Sequence, residues 1–120
     1  MVPMKWKLID WPVRILIALA FAAASMGKLT SSPGVLDRFA TYGFPDGFHF
    51  IVGAVELVGA ILILVPKTRR HAIIMLSVIV IGAAFTHLVH DPLIQLLRPL
   101  VFAIFLAAAC FLSEKDSGRP

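Results

Sequence analysis

From Gly47 to Pro66 the chain reads GFHFIVGAVELVGAILILVP, an apolar run with a single carboxylate, Glu56, inside it. A bilayer hydrocarbon core of about 30 Å is crossed by roughly 20 helical residues, so the run is long enough to span. Glu56 then lies about 13 Å along it, at roughly 1.5 Å per residue. A charged side chain at the centre of a membrane helix costs about 2.5–3.5 kcal/mol on insertion scales. Glu56 must therefore be neutral, paired with a cation, or turned to a polar cavity. Gly53, Glu56 and Gly59-Ala60 recur at three to four residues, which puts small side chains and the carboxylate on one helix face. A carboxylate so placed is either a packing group bonded to a neighbouring helix or a working group in a pocket. The depth of Glu56 favours the pocket.

The rest of the 120 residues agrees with a membrane setting. The chain is 59% hydrophobic and 15% charged, with a mean hydropathy of +0.91, whereas soluble domains are about half apolar and about a quarter charged. This length allows one domain. A net charge of +4 raises the question of nucleic acid, but the cations sit at the ends of apolar runs and form no patch with interleaved aromatics, so no nucleic-acid partner is expected. Cys110 is the one cysteine. A disulfide or dithiol relay within the chain is thereby excluded, and Cys110, inside an apolar run, is expected to be a packing residue. No metal site is expected.

Four runs follow in order, over about 12–29, 48–65, 71–89 and 93–112, and predict an all-α, transmembrane four-helix bundle in a single domain over 1–120. The first begins where Asp10 can cap and Pro12 fits a first helical turn, with Trp6 and Trp11 as interfacial anchors and Arg14 near enough to the end to snorkel. A basic start, an apolar centre and Ala22-Ala23-Ala24-Ser25 also suit a signal peptide, but Asp10, Arg14 and Lys28 argue for a retained span. Thr30 to Gly34 is a turn, and Asp37 to Asp46, mixing charge with aromatics, is expected to lie amphipathically at the interface. Thr68 is a plausible N-cap for the third run. His90-Asp91-Pro92 breaks that run and caps the next, and Arg98-Pro99 predicts a kink or short turn before the fourth span. The tail from Ser113 reads as disordered.

If all four runs span, both termini and the Pro66 to His71 turn share one side, which collects Lys5, Lys7, Lys67, Arg69, Arg70, Lys115 and Arg119. The positive-inside rule then puts both termini in the cytoplasm of a plasma or inner membrane. Lys28, Glu56, His87 and Arg98, one from each span, fall in the same outer leaflet. They are the candidate ligand-binding or proton-active residues, with Lys28 the expected partner of Glu56 and His87 or Arg98 the alternatives.

The chain resembles the DoxX family of small four-helix membrane proteins, in particular its DoxX-like branch. The residues that carry this are Arg14, Ala24-Ser25-Met26-Gly27-Lys28-Leu29, Phe39 through Gly43-Phe44-Pro45, Gly53-Ala54-Val55-Glu56-Leu57-Val58-Gly59-Ala60, and Ala84-Phe85-Thr86-His87, over roughly Val13 to Leu112. Relatives include a thiosulfate:quinone oxidoreductase subunit, components of membrane redox complexes, and assembly or trafficking factors. The resemblance implies an accessory subunit of a quinone-linked redox complex, in which Glu56, Lys28 and His87 line a pocket for the quinone head group. The sequence has no dinucleotide fingerprint, no cysteine set for an iron–sulfur cluster and no facing histidine pair for haem, so electrons would come from a membrane-protein partner. The alternative is a non-enzymatic assembly or trafficking factor, self-associating or docking on a client through the Gly53/Gly59 and Ala103/Ala107 faces. A small-solute transporter finds little support beyond the polar cluster.

Overall fold

The computed structural model describes residues 4–116. They form five α-helices: α1 (Met4–Leu29), α2 (Pro33–Thr41), α3 (Phe48–Leu62), α4 (Arg69–His90) and α5 (Leu97–Asp116), with a 3-10 turn at Leu93–Leu96. The four longer helices close a ring in which α1 and α4 each pack on α3 and α5; among the described residues no two backbones come within 8 Å across either diagonal, and the α1–α4 diagonal is bridged by long side chains. Among the described residues three stretches are long and apolar enough to cross a membrane: Leu8–Leu29, Arg69–His90 and Leu93–Ser113. Helix α3, with 15 residues, is shorter.

The boundaries depart from the expected ones for physical reasons. Helix α1 starts at Met4, so Asp10 caps nothing and Pro12 stands inside the helix. The anchor expected at Trp6 and the cations at Lys5, Lys7, Lys115 and Arg119 lie outside the residues whose side chains are described. Helix α3 stops at Leu62 instead of Val65. The next amides fold back one residue short, Leu64 on the Ile61 carbonyl and Val65 on that of Leu62, while Arg14 Nε donates to the Ile63 carbonyl at 2.8 Å and Thr68 Oγ1 to that of Leu62 at 2.8 Å. These donors satisfy the carbonyls that a helix end leaves open. Thr68 therefore occupies the N-cap position of α4 without capping it through its side chain. At the far end, Leu93–Leu96 forms the turn before the last helix, and Pro99 falls in the first turn of α5, where its missing N–H costs little. The chain stays helical from Ser113 to Asp116, against the expectation of a disordered tail there; the rest of that tail, 117–120, lies outside the described residues.

The tight end of the ring holds a buried ionic cluster where a snorkelling Arg14 and topology charges are expected from the sequence. Asp10 Oδ2 accepts from Nη1 of Arg14 and Nη1 of Arg69, both at 3.2 Å. Arg14 lies over the Trp11 ring at 4.1 Å, and Arg69 Nη2 reaches the Ser113 carbonyl at 3.4 Å. With the Arg14–Ile63 bond, one carboxylate and two guanidiniums join α1, the end of α3, α4 and α5. Beside it packs an apolar core of Ile17, Phe21, Ile63, Ala72, Leu76, Leu106 and Ala109. Close approach of α3 and α4 requires Gly59: a Cβ there would meet Leu76 Cδ2 at 2.6 Å. The Gly53/Gly59 face is thus occupied within the chain and is not a docking face for a partner.

Outward-facing positions are apolar in all four longer helices, for example Leu19, Ile51, Ile74, Ile81 and Ile104. Such a belt on every side suits contact with lipid. Cys110 belongs to this belt; it is exposed on α5 and is not the packing residue expected.

Removing one partner of a buried ionic cluster leaves an uncompensated charge, at about 3–5 kcal/mol. Asp10→Ala should therefore lower unfolding free energy in detergent by about that much. A cost below about 1 kcal/mol would place the cluster at a wet surface.

Candidate functional site

Away from the tight end the ring opens into a cavity of about 760 Å³. Its walls are mostly apolar, among them Phe39 of α2, Phe48 and Val52 of α3, and Phe102 of α5. The four candidate residues all line it: Lys28, Glu56, His87 and Arg98.

Lys28 and Glu56 meet. Lys28 Nζ lies 2.9 Å from Glu56 Oε1, with side-chain exposures of 19% and 6%. The local structure explains the meeting. A Cβ on Gly53 would come within 2.8 Å of Lys28 Cβ, so only glycine lets the end of α1 lie this close to α3, one turn from Glu56. Helix α1 ends there because Ser31 adopts a left-handed backbone, φ 55°, with the Ser32 amide reaching back to the Gly27 carbonyl and the Ser31 amide to that of Lys28. This is a C-cap motif usually made by glycine. Ser31 is held in it by a 3.0 Å hydrogen bond between its hydroxyl and Nε2 of buried His49. Lys28 Nζ also donates to the Ala24 carbonyl at 3.2 Å, while Glu56 Oε1 has no aligned hydrogen bond beside its ionic contact. The pair thus sets a donor and an under-used acceptor side by side on an apolar wall.

His87 and Arg98 do not contact Glu56. His87 Nδ1 is 2.6 Å from Asp91 Oδ2, which also accepts from the Tyr42 hydroxyl at 2.7 Å. Asp91 therefore clips the loop after α2 to the end of α4 instead of capping the next segment. A carboxylate only accepts, so the proton of this bond belongs on Nδ1 and His87 Nε2 is left for other contacts. These hydrogen bonds, His87's first, hold the Asp91 carboxyl below the usual carboxylate range. Burial, and then the Asp91 bond and charge, push the Tyr42 hydroxyl up; Arg38 and Arg98 oppose this. The sequence marks Asp91 only as a cap and neither Tyr42 nor Arg38 as a site residue, although His87 and Asp91, four apart at a helix end, are a readable pair. Outside this clip a vestibule of about 340 Å³ is lined by Asp37, Arg38, Thr41, Tyr42, His87, Asp91, Gln95 and Arg98. Among the described residues no group of three or more His, Cys, Asp or Glu side chains is placed to hold a metal ion.

A multi-pass all-α membrane protein with a charged, apolar-walled cavity between its helices is the class these features define. The profile of the DoxX-like family matches residues 13–109, and the chain belongs to that family. It is also similar to "Putative oxidoreductase CatD" of Bacillus subtilis (strain 168), 23% identical over 74 residues, which is 62% of this chain and 55% of the relative. The match thus spans little more than half of the relative's length. No solved structure matches the chain.

Two outcomes follow from the geometry. If Lys28 and Glu56 stabilise each other, Glu56→Gln and Lys28→Met should each cost more than the double substitution, which removes both charges; a double-mutant cycle on unfolding in detergent reads this, and additive effects would contradict the pairing. Tyr42 is the one tyrosine, so phenolate absorbance reports it alone. Its midpoint should lie above about 10 and fall part of the way back in Asp91→Asn. The sign is that of a raised pKa: the Tyr42 contribution to stability is present below the unfolded value and lost as pH rises through the folded one. The Asp91 contribution is present above its unfolded value and lost as pH falls through the lowered one. An unshifted midpoint that ignores Asp91→Asn would contradict the clip.

Proposed function

We propose that this chain is an accessory subunit of a quinone-linked membrane redox complex and that its cavity holds the quinone head group. The observation that carries the reading is the Lys28–Glu56 pair on the wall of the apolar cavity. A quinone carbonyl needs a donor, which Lys28 offers, and a quinol hydroxyl needs an acceptor, which Glu56 Oε1 offers. The cavity volume falls in the usual ligand range of about 300–1,000 Å³, and its phenylalanines suit a planar ring. When bound, a quinone supplies two-electron, two-proton redox chemistry; the electrons come from a partner subunit. The chain's own part is to seat the ring, exclude lipid, and keep a carboxylate and an ammonium within reach for proton exchange. The oxidoreductase naming of the Bacillus relative is consistent with this.

The same reading makes α3 the fourth span, completed by the capped turn Ile63–Val65, with the tight end and both termini in the cytoplasm of the plasma or inner membrane. The basic residues at the tight end support that orientation.

Purification in mild detergent should recover quinone at near-stoichiometric level together with a membrane redox partner, and Glu56→Gln should lower the quinone recovered per folded protein. A stoichiometric client without quinone would favour an assembly factor instead. For the orientation, a cysteine at Thr68 in a Cys110→Ala background should resist an impermeant reagent added outside; labelling there would reverse it.

A further inference from the structure

The deep cavity and the outer vestibule share four lining residues: Arg38, Tyr42, His87 and Arg98. The boundary between the two spaces is therefore formed by cations and hydrogen-bond donors. The vestibule carboxylates Asp37 and Asp91 do not line the deep cavity, and Asp91 is engaged by His87 and Tyr42. Neither Arg38 nor Arg98 makes an ion pair among the described residues. They approach from different elements, Arg38 on α2 and Arg98 at the start of α5, and both act on the Tyr42 hydroxyl through their charge. Inside, Glu56 is already matched by Lys28. Two guanidiniums with no anion of their own, at the mouth of an apolar space, are complementary to an amphiphile with one negative group: guanidinium binds carboxylate or phosphate in bidentate fashion, and the walls take the ring or chain.

We propose that the cavity takes an anionic amphiphile, a ring or chain compound whose carboxylate or phosphate is held between Arg38 and Arg98 while its apolar body extends toward Lys28 and Glu56. This rests on the reading of the cavity as a ligand site and adds that the ligand carries a charge a simple quinone lacks. It leaves the redox role open to separate refutation.

The test uses the full chain in nanodiscs of zwitterionic phosphatidylcholine, with binding of naphthoate, its uncharged methyl ester and menadione measured by calorimetry against empty discs. Naphthoate should bind at least about tenfold more tightly than the ester, a preference that weakens as salt rises. Arg38→Gln with Arg98→Gln should reduce naphthoate to the level of the ester, and Arg→Lys at both positions should keep part of the difference. The acid-against-ester comparison on the unaltered protein needs no variant to fold. Equal binding of acid and ester, or a preference that survives loss of both arginines, overturns the proposal; menadione binding in that case leaves the quinone reading standing. Naphthoate binding without menadione supports the proposal and removes the quinone reading, and binding of neither removes both. Loss of the naphthoate preference when phosphatidylglycerol replaces part of the disc lipid would identify the anionic amphiphile as a membrane phospholipid, and a preference that persists would identify it as a free acid.

Discussion

The Asp10 carboxylate, shared by Arg14 of α1 and Arg69 of α4, draws four chain segments together at one end of the ring, because Arg14 also caps the end of α3 and Arg69 reaches the α5 backbone. In an apolar surrounding such a cluster persists only if each charge keeps its partners. The tight apolar core lies next to it. At the other end the helices are held by the Tyr42–Asp91–His87 clip and by α2, and the space left between is the cavity. Its location thus follows from where the strong contacts are.

Charge placement in the chain obeys a single economy. Four ionisable groups set between the helices each have an opposite charge or a carbonyl within reach: Arg14 and Arg69 at the tight end, Lys28 and Glu56 in the cavity wall. The two arginines at the cavity mouth differ, because they lie near helix ends where water can solvate them until a ligand arrives. This division between satisfied interior charges and available rim charges is what gives the cavity a direction, apolar and paired within, cationic at its mouth.

Much of this was legible in the residues. Apolar runs placed the helices, and the Gly53/Glu56/Gly59 spacing put the carboxylate on the face that meets Lys28. Three things were hidden. Arg14 and Arg69 stand near the ends of apolar runs, where snorkelling is the ordinary outcome, and their pairing through Asp10 joins residues 59 apart in sequence, which no local pattern records. Helix α3 ends early because two donors from other segments cap its carbonyls, a tertiary event invisible in its own composition. Cys110 broke the expectation that apolar cysteines are buried because that expectation belongs to proteins whose outside is water; here an apolar outer face is the norm.

A ring compound that enters the space between the Lys28–Glu56 wall and the Arg38/Arg98 mouth would be caught there by photolabelling of native membranes with an azido-quinone, followed by peptide mapping. Adducts are expected on α3 near Val52 or on α5 near Phe102, suppressed by excess unlabelled menadione. Adducts confined to the outward face of α5, around Ile104 and Cys110, and insensitive to competitor would contradict that entry.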